Sequence, residues 1–303
     1  MFGPDYSQFN PERDIPDLDG KVFFITGGTA GIGKEAILLL ARHRPTHIYF
    51  SGRDVRKGNA VMEEVKSQVP DAQITFIECD LASLHSVKDA ANEFLSLSSR
   101  LDVLMCNAGI MALPPGLTED GYELQFGTNH LGHALLIKLL LPALRQSDDG
   151  RIVNLSSTGY IAHPVGGIIF KDLRTPQDMA MLGPSTRYAQ SKLANVLYAM
   201  ELARRYPNIT SVAIHPGVVN TGLMTSATPS SQRMIAVTLS WQMTTPERGA
   251  YNQVWAATCD KSKLVNGGFY RPVGQLTKTC RDGHNAELSE KLWDWTQAEL
   301  KDY

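Results

Sequence analysis

Short apolar runs alternate with longer amphipathic stretches along most of this chain. Each run holds five to seven residues, is rich in β-branched and aromatic side chains, and ends beside glycine or small polar residues. Runs of this kind are typical of parallel strands that are buried on both faces. Strands that alternate with helices predict an α/β fold built on a doubly wound parallel sheet. The predicted strands are Lys21–Thr26, Thr46–Ser51, Gln73–Cys79, Leu101–Cys106, Arg151–Leu155, Ile209–Ile214 and Gly268–Pro272.

The amphipathic stretches between these strands predict helices. Asp54 is a predicted N-cap, and Pro246 suits a first helical position. The helix that starts at Leu117 is expected to bend or end near Pro142, because proline removes a backbone donor. The predicted helices are Lys34–His43, Asp54–Gln68, a segment from Ser83, Leu117–Gln146, Ser185–Tyr206, Pro246–Cys259 and Asn285–Leu300.

The elements predict one domain, residues 20–303, which follows an N-terminal extension, residues 1–19. The segment from about 158 to 186 contains several glycine, proline and histidine residues and is expected to form a wall of a substrate cleft. The segment from about 218 to 245 is rich in serine, threonine and methionine, which favours a substrate lid over a core element. The last helix is a C-terminal extension of the domain.

Composition narrows the class of protein. The 303 residues carry a formal net charge of −2 with acids and bases interspersed, which argues against a nucleic-acid-binding protein. The four cysteines are scattered, which fits reduced thiols in a cytoplasmic protein. No apolar run is long enough to span a membrane. His130 and His133 are three apart but lack an acidic or thiol partner at matching spacing, so no metal site is predicted.

A glycine-rich turn follows the first predicted strand and opens the first predicted helix. Its sequence is Thr26-Gly-Gly-Thr-Ala-Gly-Ile-Gly33, so the spacing is Thr-Gly-x-x-x-Gly-x-Gly. In a strand–turn–helix context, such glycines let the backbone approach a pyrophosphate closely. The helix N-terminus supplies free N–H groups and the positive end of the helix dipole. The turn therefore predicts a dinucleotide-binding site.

Residues after the second and third strands bear on which dinucleotide is bound. The second strand is followed by Gly52-Arg53. An acidic residue at this place would favour NAD, because it would bind the free 2′-hydroxyl of the adenosine ribose. Arg53 instead favours a 2′-phosphate, although it could be a surface residue at the strand end. Asp80 either accepts a hydrogen bond from an adenine amino group or caps the next helix. Asn107, after the fourth strand, is expected to tie neighbouring strands together beside the site.

The candidate chemistry lies in Tyr188-Ala-Gln-Ser-Lys192, on a predicted helix. The tyrosine and lysine are four apart, so they share one helix face. A nearby ammonium group would lower the pKa of the phenol toward the range of an acid–base catalyst. The alternative is a solvated helix face with no catalytic role. Ser156-Ser157 ends the fifth strand, at the edge of the sheet where α/β proteins bind ligands.

Taken together and in order, these motifs resemble the short-chain dehydrogenase/reductase family. The resemblance runs from about Lys21 to Thr221 and is carried by the glycine motif, Asp80-Leu, Asn107-Ala-Gly, Asn129, Ser157, Tyr188-x-x-x-Lys192 and Pro216-Gly217. Asn129-His-Leu-Gly-His133 and Tyr188-x-x-Ser-Lys-Leu-Ala-Asn195 are similar to the branch that contains retinol dehydrogenases and related fungal reductases. The resemblance implies a Rossmann fold.

The resemblance also implies a role for each matching residue. Tyr188 is the expected acid or base, and Ser157 hydrogen-bonds the substrate oxygen. Lys192 is expected to hold the nicotinamide ribose and depress the Tyr188 pKa, while Asn129 binds a water. The expected cofactor-binding residues are Gly27, Thr29, Gly31, Ile32, Gly33, Arg53, Asp80, Leu81, Asn107, Ala108, Gly109, Tyr188, Lys192, Pro216, Gly217, Val219 and Thr221. Ala30 stands where some NADP-using relatives carry a basic residue, so the NADP prediction depends on Arg53.

The sequence therefore supports one leading hypothesis and two alternatives. The leading hypothesis is an NADPH-dependent reductase of a ketone or aldehyde on a fairly large apolar molecule, acting as a homodimer or homotetramer. The first alternative is an NADP-linked alcohol dehydrogenase that runs oxidatively. The second is a non-catalytic NADP(H)-binding regulator on the same fold.

Overall fold

A mostly parallel sheet of eight strands forms the centre of the computed structural model, which describes residues 5–178, 183–220, 228 and 243–303. Across the sheet the order is β10-β9-β6-β5-β4-β1-β2-β3, and β10 alone in this sheet runs antiparallel to its neighbour. The short strands β7 and β8 pair with each other outside it. The strands are β1 (Val22–Thr26), β2 (His47–Gly52), β3 (Ile74–Glu78), β4 (Val103–Cys106), β5 (Arg151–Leu155), β6 (Thr210–Ile214), β7 (Val218–Val219), β8 (Met243–Thr244), β9 (Phe269–Arg271) and β10 (Gln275–Leu276).

Helices cover both faces of the sheet, as the doubly wound fold predicts. One face carries α4, α6, α7 and α9, and the other carries α2, α3 and α8. The helices are α1 (Pro11–Asp14), α2 (Gly31–Ala41), α3 (Val55–Gln68), α4 (Leu84–Leu97), α5 (Leu124–Phe126), α6 (Gly132–Leu144), α7 (Pro184–Arg205), α8 (Pro246–Thr258) and α9 (Ala286–Glu299). Among these described helices, none combines the length and the apolar character that a membrane span needs.

The side chains of the strands alternate between two hydrophobic cores. In β1, Phe24 packs on the side of α4 and α6, while Phe23 and Ile25 pack on the side of α2 and α8. All three side chains are fully buried. The continuous apolar runs in the sequence therefore reflect burial on both faces of the sheet, and the predicted fold class is confirmed.

The predicted helix Leu117–Gln146 is wrong at its start. Residues before Leu124 form a tight turn in which Leu117 bridges Glu123 and Gly121 has a φ of 79°. The helix then begins with α5, passes through a π-helical turn, Gly127–Leu131, and continues as α6 to Leu144. Pro142 lies within the last turn of α6, where the helix continues for only two more residues. Gly121 is the residue in the sequence that could have indicated this turn.

The strand order reverses between β1 and β4, so the connections after these two strands leave in opposite directions. Ligands of open α/β sheets bind at the carboxyl edge beside such a point. Asn107 stabilises this edge, because its Nδ2 donates to the backbone oxygen of Thr26 at 2.7 Å. The prediction that Asn107 ties neighbouring strands together is confirmed. The fold therefore opens a crevice at the end of β1 and β4.

Three fully buried histidines make the fold sensitive to acid. Burial lowers the pKa of His130 and His215 to about 3 and that of His133 to about 4. His130 interacts with the Thr296 hydroxyl of α9 through Nε2 at 3.1 Å. Because all three histidines are neutral in the folded chain and bind protons near pH 6.5 when unfolded, unfolding takes up protons. Their contribution to stability is complete above pH 6.5 and is lost as the pH falls through about 4 for His133 and about 3 for His130 and His215.

We expect the free energy of unfolding to fall by about 1–2 kcal/mol per buried histidine between pH 7 and pH 5. Urea denaturation at the two pH values measures the difference. His130→Gln should reduce the pH-dependent loss by about a third, whatever it does to stability at pH 7. His85→Gln is the matched control, because the His85 side chain is 83% exposed and should leave the loss unchanged. An equal loss in the parent and His130→Gln would contradict this account.

Candidate active site

The glycine-rich turn packs directly against the loop after β4. A Cβ added to Gly27, whose φ is +66°, would lie 2.9 Å from the Cα of Ala108. A Cβ on Gly33 would overlap the backbone oxygen of Gly27. Ala30 precedes α2 without a side-chain cap, so the first N–H groups of this helix are left for another partner. This geometry fits a pyrophosphate at the helix N-terminus.

A pocket of about 560 Å³ extends from this turn along the carboxyl edge of the sheet. At one end Arg53 follows β2, with its side chain 69% exposed and Nη1 3.9 Å from Oδ2 of Asp80. Asp54 is the N-cap of α3, as predicted, and its Oδ1 accepts from the backbone N–H groups of Arg56 and Lys57. The nearest acid after β2 is therefore turned toward its own helix. Arg53 and Asp80 are therefore the charged side chains that line this end of the pocket.

The contacts of Asp80 bear on the two roles that the sequence left open, an adenine contact and a helix cap. Its Oδ1 accepts from the backbone N–H of Ala82 at 2.9 Å, and its Oδ2 faces Arg53. Ser83, and not Asp80, is the N-cap of α4. Asp80 thus holds the turn that leads to the helix and presents one carboxylate oxygen to the pocket.

Sequence reasoning missed Thr128, which lines the pocket from the π-helical turn. Thr128 is 8% exposed, and its Oγ1 is buried without a hydrogen-bond partner among the described residues. A buried hydroxyl that lacks a partner costs free energy unless a ligand or water bonds it. The apolar part of the wall was also missed. It is formed by Ile110, Met111 and Leu113, which come soon after Asn107-Ala-Gly, and by Leu124 of α5.

The other end of the pocket is formed by the catalytic candidates on α7 and after β5. Tyr188 and Lys192 lie one turn apart on α7, with Lys192 Nζ 5.7 Å from the centre of the Tyr188 ring. A Cβ placed on Gly159 would lie 3.2 Å from Ser157 Oγ and 3.8 Å from the Tyr188 ring. Ser157 and Tyr188 are therefore neighbours. The predicted helix face does carry a phenol and an ammonium group side by side.

The two adjacent serines have different roles in the structure. Ser156 is buried, and its Oγ donates to the Lys192 backbone oxygen at 2.7 Å, so it ties β5 to α7. Ser157 Oγ accepts from the backbone N–H of Gly159 at 3.0 Å. Its own proton is therefore free to point toward Tyr188 or a substrate.

Asn129 joins the catalytic helix to the loop after β4. Its side chain accepts from the Ile110 N–H at 2.8 Å and donates to the Ile110 oxygen at 2.9 Å. The same Nδ2 donates to Ser191 Oγ at 2.9 Å, and that hydroxyl donates to the Tyr188 backbone oxygen. The Asn129 side chain thus satisfies backbone groups of Ile110, and its expected role in binding a water stays a prediction. Asn129 is fully buried behind the pocket.

Burial is the largest influence on the pKa values of Tyr188 and Lys192. It raises the pKa of Tyr188 to about 12, and the neighbouring Ser157 hydroxyl offsets part of this rise. It also lowers the pKa of Lys192 to about 8. Lys192 Nζ donates to the Leu155 backbone oxygen at 2.9 Å. Burial therefore sets the direction of the Tyr188 shift in this structure, and the expected lowering of the Tyr188 pKa by Lys192 stays a prediction.

A buried ion pair next to Tyr188 holds the segment that forms the cleft wall. Arg187 is 2% exposed and lies 3.3 Å from Oε1 of Glu123, which is fully buried. Its Nη1 donates to the Gln177 oxygen at 3.1 Å, and its Nη2 donates to the Leu113 oxygen at 2.9 Å. One guanidinium group therefore connects α7, the cleft wall and the loop after β4. No local sequence pattern indicated this link.

Most of the predicted cofactor-binding residues meet in this one pocket. Those that line it are Gly27, Thr29, Gly31, Ile32, Gly33, Arg53, Asp80, Leu81, Asn107, Ala108, Gly109, Tyr188, Lys192 and Pro216. Val219 is 9% exposed, and its side chain packs against Gly249 of α8. Gly217 adjoins the pocket wall beside Pro216. Thr221 and most of the predicted lid, 218–245, lie outside the described residues.

No cluster of three or more metal-binding side chains occurs in the described ranges.

Comparisons with known proteins agree with this geometry. The short chain dehydrogenase family model matches residues 21–168. An uncharacterized oxidoreductase of Schizosaccharomyces pombe is 37% identical over 301 residues, covering 96% of this chain and 88% of that protein. Retinol dehydrogenase 12 of Mus musculus is 36% identical over 91% of this chain and 85% of its own length. A crystal structure of an uncharacterized protein from Mycobacterium paratuberculosis has a TM-score of 0.77 at 31% identity and covers 97% of both chains.

The two serines provide a matched pair of variants. Ser157→Ala should lower kcat by about 10²–10³-fold, because it removes a donor aimed at charge that develops on the substrate oxygen. Ser156→Ala should leave kcat within a few-fold and lower the thermal midpoint, because it removes a buried structural hydrogen bond. Steady-state kinetics and thermal denaturation of both variants measure these effects. The reverse pattern would mean that Ser156, and not Ser157, faces the substrate.

Proposed function

The chain belongs to the short-chain dehydrogenase/reductase family, and we propose that it is an NADPH-dependent reductase of ketones or aldehydes on fairly large apolar molecules. Family membership makes it an oxidoreductase that transfers hydride between an NAD(P)(H) cofactor and a CH–OH or C=O group. The choice of NADPH, the direction of the reaction and the class of substrate are the proposal.

The observation that carries the proposal is the arrangement of one pocket. Arg53 lies at one end, the glycine-rich turn lies in the middle, and Tyr188 and Lys192 lie at the other end. A guanidinium group matches a phosphate with charge-assisted and bidentate hydrogen bonds. Asp54 is occupied by its own helix, and Arg53, whose side chain is 69% exposed, has only a long contact of 3.9 Å with Asp80. This arrangement suits NADPH better than NADH.

The residues of this chain can carry out the proton steps of carbonyl reduction. When bound, the nicotinamide cofactor supplies the hydride. The Ser157 hydroxyl donates a hydrogen bond to the substrate oxygen and stabilises the charge that develops there. Tyr188 transfers its phenolic proton to the same oxygen as general acid. Lys192, on the same face of α7, provides positive charge that stabilises the resulting phenolate.

The protonation of Tyr188 suits the acid role that carbonyl reduction needs. Burial raises its pKa to about 12, so the phenol carries its proton at neutral pH. The oxidative alternative uses the phenolate as base, so oxidation should speed up as the pH rises. A non-catalytic regulator is less well supported, because binding alone does not require Ser157 and Tyr188 to lie side by side at the pocket end.

The wall of the pocket supports an apolar substrate. The pocket that Tyr188 lines also contains the aliphatic or thioether side chains of Ile110, Met111, Leu113 and Leu124. The name of one relative, retinol dehydrogenase 12, indicates that it acts on a large apolar alcohol. A carbonyl attached to an apolar body would bury that body against this wall.

Two further features remain predictions. All four cysteines are free thiols, which supports a reducing compartment such as the cytoplasm. Assembly as a homodimer or homotetramer also stays a prediction, to be tested by sedimentation.

NADPH consumption against a panel of carbonyls tests the proposed function. The panel should contain long aliphatic aldehydes, aromatic ketones and small polar ketones, each assayed with NADPH and with NADH. We expect turnover of the larger apolar compounds with NADPH. Oxidation of alcohols without reduction of any carbonyl at pH 7 would favour the oxidative alternative, and binding without either reaction would favour the regulator.

Arg53→Ala tests the choice of cofactor. We expect the parent to bind NADPH at least tenfold more tightly than NADH, which corresponds to about 1.4 kcal/mol or more. The variant should lose most of this preference through weaker NADPH binding, while NADH binding stays nearly constant. Arg56→Ala is the matched control, because this substitution removes the same charge from the same region. The Arg56 side chain is 96% exposed and does not line the pocket. Calorimetric titration of both cofactors measures the preference, and equal affinities in the parent would overturn the NADP assignment.

A further inference from the structure

The N-terminal segment runs along the face of the sheet that carries α2 and α8. Near its end, the Leu18 N–H donates to the His43 oxygen at 2.9 Å, at the C-terminus of α2. Further back, the Phe9 ring meets the Tyr251 ring of α8 edge to face at 5.5 Å. Phe9, Ile15 and Leu18 are all nearly fully buried. The segment is therefore packed into the fold well before the first strand begins.

This segment reaches the carboxyl edge of the sheet at Tyr6. The Tyr6 hydroxyl donates to the Pro216 oxygen at 3.1 Å, across 210 residues of sequence. The backbone oxygen of Asp5 accepts from the Val273 N–H at 3.0 Å and fixes the start of the segment. Gly217 has a φ of +95°, and a Cβ there would overlap the Tyr6 hydroxyl. Tyr6 therefore sits directly on the Pro216-Gly217 turn.

The turn that Tyr6 contacts lies at the catalytic end of the pocket. Pro216 follows β6 and lines the pocket together with Tyr188 and Lys192. Arg53 follows β2, which is four strands away in the order β6-β5-β4-β1-β2. At about 4.8 Å per strand, the two ends are roughly 19 Å apart. A contact at Pro216 thus acts on the nicotinamide end of the proposed cofactor site and not on the adenosine end.

We propose that Tyr6 is a positioning residue, which holds the Pro216-Gly217 turn in the conformation that receives the nicotinamide half of the cofactor. The N-terminal extension is then part of the cofactor site, although Tyr6 lies 210 positions before the residue that it contacts. This inference rests on the proposed function, because it requires that the pocket bind a nicotinamide dinucleotide.

The chemistry of the contact suits a fixed positioning role. Burial raises the pKa of Tyr6 to about 12, so the hydroxyl remains a neutral donor at any pH at which the enzyme would be assayed. The acceptor is the Pro216 backbone carbonyl. Loss of the hydroxyl would leave this carbonyl without the bond that orients it, while the aromatic ring would still fill its place.

Tyr6→Phe tests the inference, because it removes the hydroxyl and keeps the ring. Titrations would compare NADPH with adenosine 2′,5′-bisphosphate, which contains the phosphorylated adenosine half only. We expect NADPH to bind about three- to tenfold more weakly, while the adenosine fragment binds as it does to the parent. A thermal midpoint within a few degrees of the parent would show that the variant folds. Hydride transfer should slow by at least the same factor at saturating NADPH.

Tyr251→Phe is the matched control. It removes a tyrosine hydroxyl from the same layer of the fold, but this hydroxyl bonds the Glu247 side chain at 3.3 Å on the exposed surface. It should leave the binding of both ligands unchanged. The control therefore separates loss of the Pro216 contact from a general effect of removing a hydroxyl.

The possible failures can be told apart. If Tyr6→Phe binds NADPH and transfers hydride like the parent, the positioning role is overturned and the proposed function stands. If Tyr6→Phe weakens NADPH and the adenosine fragment equally, Tyr6 supports the fold as a whole and the inference is also overturned. If the parent binds neither ligand, the proposed function itself fails.

Discussion

The catalytic end of this protein depends on one side-chain amide, that of Asn129. Its two hydrogen bonds to Ile110 hold the loop after β4 against a π-helical turn. Its third bond reaches Ser191, whose hydroxyl bonds the Tyr188 backbone oxygen. Asn129 lies within this π turn, and single π turns of this kind occur at many functional sites. Without this amide, the two backbone groups of Ile110 and the Ser191 hydroxyl on the catalytic helix would each lose a hydrogen-bond partner.

Much of the fold could be predicted because the relevant signals are local. Each buried strand is a short apolar run, and the glycine motif lies between a strand and a helix. The error at Leu117 has a physical cause: Gly121 adopts a positive φ in a turn that helical periodicity alone does not indicate. Helix periodicity also continues through Pro142 because a proline near a helix end removes little.

The candidate site was only partly predictable, because several of its contacts join distant parts of the chain. Arg187 pairs with Glu123 over 64 positions, and Tyr6 bonds Pro216 over 210. Neither pair has a spacing that a pattern could recognise. The Thr128 hydroxyl lacks a hydrogen-bond partner among the described residues, which is visible only once burial is known. The protonation of Tyr188 likewise depends on its surroundings, since burial outweighs the lysine one turn away.

Single-turnover reduction by Tyr188→Phe is the measurement that tests this account most directly. The variant would be premixed with NADPH and mixed rapidly with a carbonyl that the parent reduces. Because the ring remains and only the proton donor is lost, hydride transfer should slow by about 10²–10⁴-fold while NADPH binds as it does to the parent. Hydride transfer at a rate close to that of the parent would contradict the account, because another group would then have to supply the proton.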